Sequence, residues 1–147
     1  GLAEITAVMV ALQAGAMIMR IWSGRHTDRR ANRPAYLRGS ALVALAAFML
    51  LGLAAACDAP GWLLMAGVAA AGIAVSAWHG VAYTELATEA GGASAGTALG
   101  MANTAVYVGL FLTPIAIPHL LAASSWPVVW WLAGLVALAA RPLFPKP

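Results

Sequence analysis

Few side chains in this sequence could do chemistry, and most of them lie where polarity is costly, inside long apolar runs. Gln13 falls midway along the first run, Trp78, His79, Tyr83 and Glu85 along the third, and Asn103 and Tyr107 along the fourth. A charge at the centre of a membrane helix costs about 2.5 to 3.5 kcal/mol, so polar groups there are candidates for a solute or proton pathway. Gln13 needs a partner for its amide, either a solute or a neighbouring helix; a bond of the second kind is worth roughly 0.6 to 2 kcal/mol. Trp78 and Tyr83 could line a cavity with an apolar face and one donor each. His79 titrates near neutrality in ordinary surroundings, which suits proton coupling as well as plain packing. Glu85 could take a proton, pair with an arginine, or lie solvated at a helix end. Asn103 and Tyr107 are four positions apart and share a helical face, as a polar stripe or as partners for another helix.

A second constellation is ionic. Six of the eight Lys and Arg residues lie between Arg20 and Arg38, around Gly24-Arg25-His26-Thr27-Asp28-Arg29-Arg30-Ala31-Asn32-Arg33. Asp28 stands among these cations as their nearest counter-charge. No run pairs carboxylates, clusters histidines or carries a nucleophile elbow or a phosphate-binding Gly-rich loop, so neither an enzyme nor a cofactor is expected. His26, His79 and His119 lack metal-ligand spacing, and the lone Cys57 permits no disulfide within the chain.

The elements that must hold these groups are membrane helices. Hydrophobic residues make up 63% of the chain and charged residues 9%, where a soluble domain carries roughly 25% charged residues. Five runs reach the roughly 20 residues needed to cross a bilayer or come close to it: about 3–22, 36–57, 62–86, 96–122 and 126–140. They lack the period-two alternation of barrel strands, and only helices and closed barrels satisfy backbone polar groups in lipid. Asp58-Ala-Pro60-Gly61, Glu89-Ala-Gly91-Gly92 and Ser124-Ser125 separate the later runs, and the basic stretch separates the first two. The expected fold is an all-α bundle of five transmembrane helices in one domain. The net charge of +3 is concentrated between helices, which points to the lipid surface and not to nucleic acid.

Parity then sets the sides. With the Arg25–Arg33 stretch cytoplasmic, the tail carrying Arg141 and Lys146 returns to the same side, and neither opposite loop holds Lys or Arg. Trp22, Trp62 and Trp126 fall at helix ends as interfacial anchors. The inner membrane of a bacterium is the expected location. The first run begins almost at Gly1 on the outer side, with no basic n-region or small-residue cleavage site, so a signal peptide is not expected and a further helix upstream is.

The pattern Gly24, three residues, Asp28-Arg29, then Arg33 resembles the loop signature of the major facilitator superfamily of secondary transporters. Ala31 stands where that signature carries Gly, and Asn32 and Pro34 where it commonly carries cations. In the fourth run Gly100, eight residues, Gly109, three residues and Thr113-Pro114 is similar to the superfamily's fifth-helix signature, seen in degenerate form on the eleventh helix. Trp78-His79-Gly80-Val81 with Glu85 also looks like the tenth helix of many bacterial members. The resemblance implies helices eight to twelve of a twelve-helix fold, part of the C-terminal half, since the sequence closes after Arg141-Pro142 without a long central loop. It implies alternating access to a small solute, the N-terminal half of the same transporter as partner, and a cytoplasmic gate formed by Gly24, Asp28, Arg29 and Arg33. Gly100 and Gly109 would thin their helix for close packing and Pro114 would bend it. The competing expectation is a five-span structural or assembly protein with no pathway of its own.

Overall fold

In a computed structural model, which describes residues 1–145, every described element is helical. The chain runs α1 (Leu2–Arg30), α2 (Arg33–Ala56), α3 (Gly61–Ala77), α4 (His79–Ala90), α5 (Ala95–Ala123), α6 (Trp126–Ala140) and a closing 3-10 turn, Arg141–Leu143. Five stretches are long and apolar enough to cross a membrane: α1, α2, α3 together with α4, α5, and α6 with its turn. The protein is an all-α membrane protein. Lys146, expected on the side of the basic cluster, lies outside the described residues.

Two boundaries differ from the sequence expectation. The basic stretch is not a loop over most of its length, because α1 continues through Gly24 to Arg30. Arginine is a good helix former, and cations in a last turn complement the helix dipole. The chain turns only at Ala31 and Asn32, just before Pro34 restricts Arg33 and opens α2. The third span, in turn, is broken at Trp78 into α3 and α4, and α4 runs on through Glu89 to Ala90. It ends at Gly91, whose φ of 72° is glycine's region.

Small residues hold the bundle together, as expected where lipid is as apolar as any side chain. Ala16, Ala41, Ala44, Ala71 and Ala77 are buried beside Leu37, Leu51 and Val81. The most extensive interface joins α2 to α6, where a methyl on Gly52 would overlap the Trp131 indole and come within 3.1 Å of the Pro127 carbonyl. Next come α1 with α3 and α2 with α3. On the α1–α3 seam a Cβ at Gly15 would lie 2.6 Å from Ile73 Cδ1, and one at Gly72 would lie 2.7 Å from Leu12 Cδ1. Each helix thus offers a notch to a side chain of the other.

α5 stands apart. It touches α4 and, sparsely, α6, and none of its residues is buried. Between α5, α6, α2 and the end of α3 runs an apolar cavity of about 600 Å³, walled by Ile117, Leu120, Trp130, Ala133, Phe48 and Trp78 among others.

Candidate functional site

Three helices converge on Arg33. From the first position of α2 its Nη2 donates to Asp28 Oδ1 at 2.7 Å and its Nε to the same oxygen at 3.2 Å. Nη1 stands 3.8 Å from Glu85 Oε2 on α4. The arginine thereby links the end of α1, the start of α2 and the middle of α4. Asp28 is 59% exposed and Glu85 only 16%, so the first pair is screened by solvent while the second is sheltered. A recess of about 350 Å³ opens beside them, lined by Thr27, Asp28, Ala31, Arg33, Pro34 and Glu85. Ala31 makes the turn at φ 49°, ψ 37°, the left-handed region that costs an L-residue roughly 1 to 2 kcal/mol. Gly24 and Arg29 do not join this cluster: a Cβ at Gly24 would meet nothing, and Arg29 points outward from α1.

A second cluster surrounds the break in the third span. The Trp78 ring lies edge-on to Phe144 of the tail, with centroids 6.0 Å apart, and His79 stacks at a tilt on Tyr83 at 4.8 Å. The Tyr83 hydroxyl donates to Asn103 Oδ1 at 2.7 Å, crossing from α4 to α5. His79, Tyr83 and Asn103 therefore form one polar string, with Trp78 at its α3 end. Tyr107, one turn along α5 from Asn103, is 68% exposed. Gln13 also lies on an open face, beside the exposed Val10 and Met17 of α1, and makes no side-chain hydrogen bond among the described residues.

The glycines of the α5 signature meet no partner within the chain. A Cβ at Gly100 or Gly109 would stand in open space, so the close packing expected of them is absent here. Both carbonyls instead accept a threonine hydroxyl from one turn on, Thr104 at 3.0 Å and Thr113 at 2.7 Å. Pro114 and Pro118 sit inside α5 and remove the donors that would have met the carbonyls four residues earlier.

Ser23 and Thr27 escaped the sequence analysis. They are the most buried polar side chains of α1, 0% and 1% exposed. Ser23 Oγ donates to the Ala77 carbonyl at 2.7 Å, at the residue before the Trp78 break, and Thr27 Oγ1 donates back to the Ser23 carbonyl at 2.9 Å. Their four-residue spacing between the apolar run and the arginines was the available signal. Among the described residues no three His, Cys, Asp or Glu side chains come together to hold a metal.

A family model described as Major Facilitator Superfamily matches residues 1–146. No curated protein and no solved structure matches the chain.

Proposed function

Because the chain belongs to the major facilitator superfamily, we propose that it forms helices eight to twelve of a secondary transporter that moves a small solute by alternating access. The two degenerate signatures, in α1–α2 and in α5, support the assignment to the C-terminal half. In this reading the solute path follows the open faces of α1, α4 and α5, where Gln13, His79, Tyr83, Asn103 and Tyr107 present polar groups. Trp78 would shape the inner end of that path and His79 would carry a coupled proton. Asp28, Arg33 and Glu85 would close the cytoplasmic side, without Gly24 and Arg29. The protein would sit in the inner membrane of a bacterium with the basic end of α1 cytoplasmic.

The observation that carries this reading is the unburied α5 with the 600 Å³ apolar cavity behind it. A helix bearing Asn103 and Tyr107 does not face lipid on all sides without cost, since unpaired polar groups are penalised there. The N-terminal half of the same transporter fits the open face of α5 and the Gln13 face of α1. Sites in such transporters lie near the midplane between two halves.

Reconstitution tests it. The 147-residue chain alone in proteoliposomes should show no saturable uptake, and the complete transporter should. Saturable uptake by the chain alone would overturn the half-transporter reading. Sidedness is checked with the exposed native Cys57: a membrane-impermeant maleimide should label it in intact cells, and should label Arg30→Cys in a Cys57→Ser background only after permeabilisation.

A further inference from the structure

α1 is longer than the membrane it crosses. Its 29 residues span about 43 Å at 1.5 Å each, against a hydrocarbon core of about 30 Å. Counted from Leu2, the core ends near Trp22, and the last two turns lie among the headgroups. On those turns Trp22, Arg25, His26, Arg29 and Arg30 follow the spacing of a single helical face. Ser23 and Thr27, on the flank beside this face, are buried toward the bundle. We propose that this outward face is a binding site for the phosphate headgroup of an anionic phospholipid in the adjoining leaflet.

Shape, charge and layering support one occupant. A groove of about 580 Å³ runs along the face, bounded below by Ile18 and Ile21. Those two side chains are 62% and 49% exposed and lie at acyl-chain depth. Above them Trp22 and His26 stack with ring centroids 4.8 Å apart and planes 24° from parallel, a flat wall at the interface where indoles settle. Three guanidinium groups complete the rim. Among the described residues Arg25, Arg29 and Arg30 have no carboxylate within 4.0 Å, because Asp28 is turned to Arg33. A free anion would use the arginines alone. A phospholipid uses the arginines for its phosphate, the ring stack at its glycerol level and the isoleucines for its chains. The site is separate from the Asp28–Arg33–Glu85 cluster and does not depend on the transport reading.

Native mass spectrometry of the purified chain in detergent tests this, with phosphatidylglycerol or phosphatidylcholine added. The wild-type chain should retain phosphatidylglycerol in preference to phosphatidylcholine. Arg25→Gln and Arg29→Gln should each lower that preference roughly fivefold, and the triple variant with Arg30→Gln roughly a hundredfold. Arg38→Gln, off this face, should leave it unchanged. The single exchanges lie on exposed helix surface, so the test survives if the triple variant folds poorly. Three results would overturn the proposal: no preference in the wild type, as for a face reserved for an acidic protein segment; equal retention by the arginine variants; or release of the lipid by excess inorganic phosphate, as for a free-anion site.

Discussion

Tyr83 and Asn103 are joined by a 2.7 Å hydrogen bond that ties α5, the least buried helix, to α4. Few contacts compete with it, since α5 otherwise meets the bundle only along α4 and sparsely at α6. Interhelical bonds in membranes contribute about 0.6 kcal/mol on average and up to about 1.7. A double-mutant cycle of Tyr83→Phe and Asn103→Leu, followed by unfolding in mixed micelles, should give a coupling energy in that range. Strict additivity of the two changes would show that the bond does not hold α5 in place.

Ala31 occupies a glycine conformation without being glycine. Ala31→Gly should relieve the left-handed strain and lose part of the gain to a more flexible unfolded chain. The expected net effect is stabilisation by about 0.5 to 1 kcal/mol, read as a shift of the unfolding midpoint. A destabilised variant would mean that the turn at φ 49° does not persist in the membrane.

Gly52 and Gly109 make opposite predictions. Gly52→Ala should destabilise by about 1 to 3 kcal/mol, because the methyl runs into the Trp131 indole. Gly109→Ala should be neutral or stabilising by up to about 1 kcal/mol in the chain alone, where nothing faces it. In the complete transporter the same Gly109 change should weaken assembly if the partner half packs there. Unchanged assembly would remove that partner from this stretch of α5.

The ionic cluster separates stability from turnover. With Asp28 59% exposed, Asp28→Asn should cost less than about 1 kcal/mol in unfolding. Glu85→Gln leaves Arg33 its Asp28 partner and should also be tolerated. In the complete transporter, a pair present in one gate state only would shift state populations by about fivefold for each kcal/mol lost. Uptake rates should therefore change while expression and fold persist. Wild-type rates in both variants would reduce the cluster to a surface ion pair.

Much of the architecture was legible because apolar runs and Pro or Gly punctuation are local signals. Asp58-Ala-Pro60-Gly61 marked a turn, and the chain turns there. Local signals also misled. The charges from Arg25 to Arg30 suggest a loop, yet nothing before Ala31 stops a helix, and α1 continues. Trp78 breaks the third span with only Gly80, two residues on, to announce it. The site was legible as residue types and not as partnerships. Nothing local tells Arg33 to reach Glu85 on another helix, or says that Gly15 and Gly72 are packed while Gly100 and Gly109 are open. Those facts depend on which faces meet, and the small-residue content of this chain gives every helix several usable faces.

The paired notches on the α1–α3 seam fix the register of the two helices. Ile73 fills the space at Gly15 while Leu12 fills the space at Gly72, so each knob blocks the escape of the other. Sliding α1 along α3 by a fraction of a turn would drive both side chains into helix backbone at once. Only a whole-turn ratchet of about 5.4 Å restores a comparable fit, and the neighbouring turns offer no second pair of glycines at that step. α1 and α3 are thus interlocked in register, whereas no pair of glycine notches joins α5 to its neighbours.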